Sequence, residues 1–190
     1  MLSRGPVNLD RDLERREARA AWIAWARLVA VPFAVLEVLV ERGNYPPGDE
    51  ARAWAITLVF GAGALVLLGG RARLWAPAVG LALDLAAVSA FVALYSFEAG
   101  TPVRQLLVLP VVEGALLYGI RGGVLLSIAG LPALAFFEWR QSERLDLYPF
   151  DVGHVLGPTG LGLAVGVVVG ALVERLEGPR GGSARGNRAR

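Results

Sequence analysis

The chain has 190 residues, 55% of them hydrophobic, and a mean hydropathy of +0.51. This is more apolar than the core of a soluble domain of this size requires, so the composition indicates an integral membrane protein. All 19 basic residues are arginine, and 17 acidic residues nearly balance them, so the charge does not indicate nucleic-acid binding. The lack of cysteine excludes disulfides and thiolate sites, and one histidine and one methionine argue against a metal or haem-type centre.

Charged residues dominate the segment that precedes the first apolar stretch. Residues 1–19 are expected to extend the first helix into the cytoplasm as a charged helical extension behind an Asn8 or Asp10 cap. Arg27 interrupts the first apolar run, which favours a retained helix over a cleaved signal peptide.

Six apolar stretches of membrane-spanning length fill residues 20–174. About 20 helical residues cross a hydrocarbon core of roughly 30 Å, and lipid requires each backbone polar group to be paired inside a helix or a closed barrel. The predicted spans are 20–40, 54–70, 75–97, 102–120, 123–139 and 155–173. The sequence therefore predicts an all-α polytopic membrane protein built as a bundle of six transmembrane helices.

Arginine is concentrated in alternate connections between these spans. Thirteen arginines lie in the N-terminal segment, the second and fourth connections and the C-terminal tail, against five in the other connections. The positive-inside rule then places both termini in the cytoplasm, in a multi-pass protein of the cytoplasmic membrane. The Arg- and Gly-rich segment 175–190 is expected to be a disordered cytoplasmic tail.

Apart from Arg104, which is counted with the outer connections, five Arg, Asp or Glu residues fall inside the predicted spans, and three of them share one depth. An ionisable group at mid-membrane costs about 3 kcal/mol or more, so it is normally paired or faces the bundle interior. The helix rise places Arg27, Asp84 and Glu113 at nearly the same level, which predicts an inner polar core with one net negative charge. This pattern leaves open a structural ion-pair network and a site for a ligand or a proton.

The other two residues, Glu37 and Glu138, form a candidate polar pair nearer the outer face. Water or loop arginines can reach that depth, so both interfacial exposure and a role in recognition remain open. His154, at the start of the sixth span, is expected to be solvated.

The sixth span carries Gly162, Gly166 and Gly170 on one helical face. Small residues at this spacing allow two helix backbones to approach closely. The pattern is compatible with packing inside the bundle and with a homodimer.

Motifs for catalysis and nucleotide binding are absent from the sequence. It contains no Walker A loop, no GxSxG, no HExxH and no dinucleotide fingerprint. We therefore expect no enzyme, no catalytic residue, no cofactor and no metal site.

Several runs together resemble a known membrane input module, the N-terminal six-helix region of actinobacterial-type sensor histidine kinases and diguanylate cyclases. They are Arg27, Leu83–Leu85, Tyr95–Pro102, Leu109–Leu116, Tyr118–Gly123, Phe137–Trp139 and Asp151–Pro158. The resemblance implies a sensor-type module. In that family a signalling helix and an output domain follow the module, whereas here Gly178 and Pro179 follow Glu177 and interrupt any continuous helix.

The resemblance thus implies an input module without its own catalytic output. It could be a stand-alone protein, a partner of a separately encoded signalling protein, or a truncated product, and its ligand is unknown. The alternative is a small-molecule binding and transport subunit similar to the substrate-capture components of vitamin transporters, which also have six helices. In that case the glycine face of the sixth span would dock a transport partner.

Overall fold

A computed structural model describes residues 6–69, 75–97, 102–145 and 148–177, with only the backbone described at 6–17, 20 and 177. In those ranges the regular structure is helical, with no strand. The α-helices are α1 (Pro6–Val40), α2 (Asp49–Gly69), α3 (Ala76–Leu94), α4 (Val108–Ala129), α5 (Leu131–Arg144) and α6 (Val152–Glu177). Short 3-10 helices at Tyr95–Phe97 and Pro102–Leu107 follow α3 and precede α4.

Five helical stretches of the described residues are long and apolar enough to cross a membrane. They are Ala21–Val40, Asp49–Gly69, Ala76–Phe97, Val103–Arg144 and Val152–Leu176. The fourth stretch has 42 residues and contains both the fourth and the fifth predicted spans. A straight helix of that length would measure about 63 Å, twice the thickness of the hydrocarbon core.

This long stretch reverses direction at Gly119. Gly119 has φ 67° and ψ −154°, a conformation that residues with a Cβ rarely adopt. A Cβ added to Gly114 would lie 3.1 Å from the carbonyl oxygen of Gly122, whereas a continuous helix separates these residues by about 12 Å. Helix α4 therefore consists of two antiparallel arms, α4a (108–118) and α4b (120–129).

The reversal differs from the predicted connection, which lay between residues 120 and 123. Gly122 and Gly123 belong to α4b, where they serve close packing. Gly122 faces Gly114 across the hairpin, and a Cβ on Gly123 would lie 2.6 Å from the Cα of Gly166 in α6. The sequence pattern did not separate glycines that permit a turn from glycines that permit close approach.

The second arm continues into α5 with little interruption. Gly130 has helical backbone angles, its N–H donates to the Leu126 carbonyl, and its own carbonyl accepts from Leu134 N–H. Pro132 lacks an N–H, so one hydrogen bond is missing where α4b meets α5.

The outward faces of the helices are apolar. Phe33, Leu58, Leu125 and Val168, from four different helices, are each more than 60% exposed. Soluble monomers rarely expose apolar surface on this scale. The helix lengths and these surfaces together indicate a multi-pass membrane protein.

Some predicted boundaries shift. Helix α1 includes the predicted charged extension from Pro6 onward, and α2 begins at Asp49, five residues before the predicted span, with two acids in its first turn. Residues 175–177 of the predicted tail belong to α6, while residues 178–190, on which the prediction of disorder rests, lie outside the described residues.

The bundle has two ends, which differ in their polar residues. We call one the Gly119 end, defined by Arg19, Gly119 and Glu174. The opposite end, defined by Asp49, Tyr95 and His154, is called the His154 end. Most of the large buried side chains, among them Tyr95 and Phe137, belong to a core cluster on the His154 side.

Candidate functional site

Three charged side chains from three helices meet inside the bundle. The Arg27 Nε of α1 donates to Asp84 Oδ2 of α3 at 2.7 Å, and Arg27 Nη2 donates to Glu113 Oε1 of α4a. The side chains are 6%, 10% and 12% exposed, respectively. The structure thus brings together the three residues predicted as the inner polar core, which we call the triad.

Gly80 provides the space for the guanidinium group. It lies one turn before Asp84 on the same face of α3, and a Cβ there would lie 2.5 Å from Arg27 Cζ. Two carboxylates hold the guanidinium, so it has little freedom to move aside. Sequence reasoning missed Gly80, although a glycine four residues before an intramembrane acid was a usable signal.

The triad is electrostatically unbalanced. One guanidinium faces two carboxyl groups, so the fully ionised triad carries a net charge of −1. Asp84 Oδ1 is buried and has no hydrogen-bond partner among the residues that the structure describes, although Asp84 Oδ2 is bound to Arg27. A buried oxygen without a partner is costly, which marks this atom as the incomplete part of the site.

The space beside the triad is small. A cleft of about 10 Å³ touches Arg27 and is lined by Ile23, Ala24, Leu67, Ala76, Pro77 and Leu117. Ile23 and Ala76 precede Arg27 and Asp84 along their helices, and Leu117 follows Glu113, so the cleft lies on the Gly119 side of the triad. Its volume suits about one water molecule and is far below the about 300–1,000 Å³ of typical ligand pockets.

The turn at Gly119 is held by charges from the first and last helices. Arg19 Nη1 donates to the Leu116 carbonyl at 3.2 Å, and Ile120 N–H donates to Glu174 Oε1 at 3.1 Å. A cation at the end of α4a and an anion at the start of α4b are each favourable to the local helix dipole. Sequence reasoning assigned Arg19 to membrane orientation and gave Glu174 no role.

The glycine face of α6 lies against α4b. A Cβ on Gly166 would lie 2.9 Å from the Gly123 backbone, and one on Gly162 would lie 3.3 Å from Ser127 Oγ. Gly170 faces the backbone of Ile120 in the same way. The face formed by Gly162, Gly166 and Gly170 is therefore occupied inside the bundle.

Glu37 and Glu138, predicted as a pair, lie in different surroundings. Glu37 is exposed on α1, whereas Glu138 is 1% exposed at the His154 end. Glu138 Oε1 accepts from Asp151 N–H at 3.2 Å and lies 3.0 Å from His154 Nδ1. His154 was expected to be solvated, but its ring also lies 3.0 Å from the Tyr148 hydroxyl.

A second set of buried charges accompanies Glu138. Arg104 Nη1 lies 3.8 Å from Glu138 Oε2, and Arg144 Nη1 lies 3.6 Å from Asp49 Oδ2. We call Asp49, Arg104, Glu138, Arg144 and His154 the outer cluster. Sequence reasoning counted Asp49, Arg104 and Arg144 with the outer connections and predicted neither the burial of Asp49 nor the partial burial of the two arginines. Among the described residues, no group of three or more His, Asp or Glu side chains is arranged to hold a metal ion.

Tyr45 links the loop after α1 to the same end of the bundle. Its hydroxyl lies 2.7 Å from that of Tyr95, and the two rings pack edge to face. Burial raises the pKa of Tyr45 above its ordinary value of 10.0, the hydrogen bond with Tyr95 opposes that shift, and the charges of Glu37, Glu41 and Glu50 add to it.

No family model, no curated protein and no solved structure matches this chain. The candidate site is therefore characterised by its own geometry, in which a buried, unbalanced triad of charges joins α1, α3 and α4a.

Proposed function

We propose that this chain is a sensor-type input module of the cytoplasmic membrane that passes its signal to a partner protein. In this proposal the chain has six spans, because the 3-10 helix Pro102–Leu107 together with α4a forms one crossing and the combined helix α4b–α5 forms the next. Both termini then lie in the cytoplasm. The observation that carries the proposal is the triad, in which Arg27 of α1 binds both Asp84 of α3 and Glu113 of α4a and so ties the relative position of these helices to its hydrogen bonds.

A sensor also needs a physical connection from its site to its cytoplasmic end, and the bundle offers one. Glu113 and Leu116 lie one turn apart on α4a, so a shift of Glu113 relative to Arg27 also moves the Gly119 turn. Arg19 and Glu174 bind that turn from α1 and α6. A change at the triad would therefore alter the spacing of the first and last helices at the proposed cytoplasmic end.

The topology can be tested directly because the chain has no cysteine. We expect a membrane-impermeant maleimide to label Asn44→Cys in intact cells and Ala18→Cys only after permeabilisation, since both positions are exposed and lie on opposite sides of the apolar stretch Ala21–Val40. Labelling of Ala18→Cys in intact cells would contradict the proposed orientation.

The sensor function is tested by the distance between α1 and α6. Spin labels at Ala18→Cys and Arg175→Cys, two exposed positions, should report a shifted distance distribution when Asp84→Asn or Glu113→Gln is added. Glu143→Gln, an exposed acid at the His154 end, is the matched control and should leave the distribution unchanged. An identical distribution in both triad variants would contradict a sensor function of the triad.

The alternative, a subunit that captures a small molecule for transport, has less support because the cleft beside the triad holds about one water molecule. Native mass spectrometry of the purified protein separates the two functions. We expect no organic molecule bound in stoichiometric amount, and a bound vitamin-sized compound would overturn the sensor proposal.

A further inference from the structure

We propose that the triad binds one exchangeable proton, which reaches it from the Gly119 end and changes its net charge from −1 to zero. The inference rests on the proposed function in that the triad lies within the membrane and the Gly119 end faces the cytoplasm. It goes further by naming the ligand, a proton, and the atom that receives it, Asp84 Oδ1.

The triad contains one more carboxyl group than guanidinium groups. Arginine stays protonated in proteins, so the triad holds one fixed positive charge between two titratable carboxyl groups. Among the described residues, the neighbours of this cleft from α2 and from the start of α3, namely Leu67, Ala76 and Pro77, are apolar and bring no second cation. A net charge without a counterion is expensive inside a membrane, and the addition of one proton removes it.

One carboxyl oxygen of the triad, Asp84 Oδ1, is free to receive a proton. The Asp84 side chain is nine-tenths buried, its Oδ2 accepts from Arg27 Nε at 2.7 Å, and its Oδ1 has no partner. A proton bound to Oδ1 leaves the bond between Oδ2 and Arg27 in place. Neutralisation therefore requires no rearrangement of the guanidinium, and Glu113 keeps its own ion pair with Arg27.

A narrow cleft gives a proton a path to the triad. The cleft of about 10 Å³ reaches Arg27 from the Gly119 side and has room for about one water molecule. In the proposed topology this side faces the cytoplasm. A proton that enters the cleft from cytoplasmic water as hydronium reaches Arg27, to which Asp84 is hydrogen-bonded. One O–H bond of the hydronium breaks, an O–H bond to Asp84 Oδ1 forms, and a water molecule remains.

Infrared spectroscopy of the full chain in lipid nanodiscs tests the proposal without a variant that has to fold. The wild type should show the carbonyl stretch of a protonated carboxylic acid, which loses intensity as the pH rises and shifts in deuterated water. Carbon-13 labelling of aspartate should shift this band. The absence of this band at pH values where exposed carboxyl groups are ionised, above about pH 6, would overturn the proposal.

Variants then locate the proton. Asp84→Asn and Glu113→Gln each bring the triad to neutrality and should abolish the band, whereas Glu138→Gln, a substitution at a buried carboxylate of the outer cluster, should leave it unchanged. A band that persists in Asp84→Asn would place the proton on another carboxyl group and overturn the proposal. The spin labels on α1 and α6 test the sensor function independently of the infrared band, because a proton can bind without any change in the distance between these two helices.

Discussion

The two buried groups of charges in this bundle, the triad and the outer cluster, differ in geometry and in balance. In the triad a single arginine serves two carboxyl groups, with a hydrogen bond of 2.7 Å to Asp84. In the outer cluster Arg104 and Arg144 each face one buried carboxylate, at 3.8 Å and 3.6 Å, and both arginines are partly exposed. The outer cluster is nearly neutral, whereas the triad has one negative charge in excess.

We interpret this difference as a difference in role: the outer cluster stabilises the fold, whereas the triad responds to a stimulus. Balanced pairs at the end of a bundle fix helix ends, and partly exposed arginines can reach water if a partner is lost. The triad side chains are about nine-tenths buried, so they cannot turn out to bulk water, and in our proposals the triad takes up a proton through the cleft and also holds α1, α3 and α4a together. The same residue types thus anchor one end of the molecule and, in our proposal, respond to a stimulus in its interior.

The largest effect is expected for Arg27→Ala. Removal of the guanidinium leaves two buried carboxyl groups facing each other, and the loss of one member of a buried charge group costs about 3–5 kcal/mol of unfolding free energy. Arg42→Ala is the control, since Arg42 is 71% exposed in a surface pair and should cost less than about 1 kcal/mol. Unfolding in detergent measures both, and equal midpoints would contradict a role of the triad in stability.

A smaller loss is expected for Glu138→Gln in the outer cluster. Glutamine can keep the contact with Asp151 N–H, but the charge opposite Arg104 is lost, so we expect about 2–3 kcal/mol, the upper part of the usual penalty for an unsatisfied buried group. The same detergent unfolding experiment measures it. If Glu138→Gln lowers the free energy of unfolding as much as Arg27→Ala does, the arginines of the outer cluster do not gain water when their partner is lost.

The next largest loss of stability is expected when the packing of the α6 glycine face against α4b is disturbed. Gly166→Ala would bring a Cβ to 2.9 Å from the Gly123 backbone, so α4b and α6 must separate, at about 1–3 kcal/mol. Gly160→Ala is the matched control on the same helix, since nothing lies within 4 Å of a Cβ there. Gly166→Ala should lower the thermal midpoint and Gly160→Ala should not. Equal midpoints would mean that α6 does not pack on α4b through this face.

The triad was predictable from the sequence because few alternatives exist at mid-membrane. A charge there must be paired, and helix rise alone placed Arg27, Asp84 and Glu113 at one level. The outer cluster was not predictable, since Asp49, Arg104 and Arg144 lie near helix ends, where water and many partners compete. The reversal at Gly119 was misplaced by a few residues because Gly122 and Gly123 carry the same sequence signal as a turn glycine.

The smallest effect concerns Tyr45 at the His154 end. Burial raises its pKa above the ordinary value of 10.0, so the folded state holds this proton more tightly than the unfolded state. Stability from this group is therefore present below about pH 10 and is lost as the pH rises further. Ultraviolet titration of wild type minus Tyr45→Phe should show ionisation above pH 10, and ionisation at or below pH 10 would contradict the burial of this hydroxyl.

The central claim, that the triad holds one negative charge too many, is tested most directly by detergent unfolding of Asp84→Asn, Glu113→Gln and the double variant. Each single substitution leaves Arg27 one carboxylate, so we predict midpoints at or above that of the wild type near neutral pH. The double variant leaves the guanidinium without an anion and should be strongly destabilised. Losses in both single variants as large as in the double variant would contradict the account, because they would mean that Arg27 needs both charges at once.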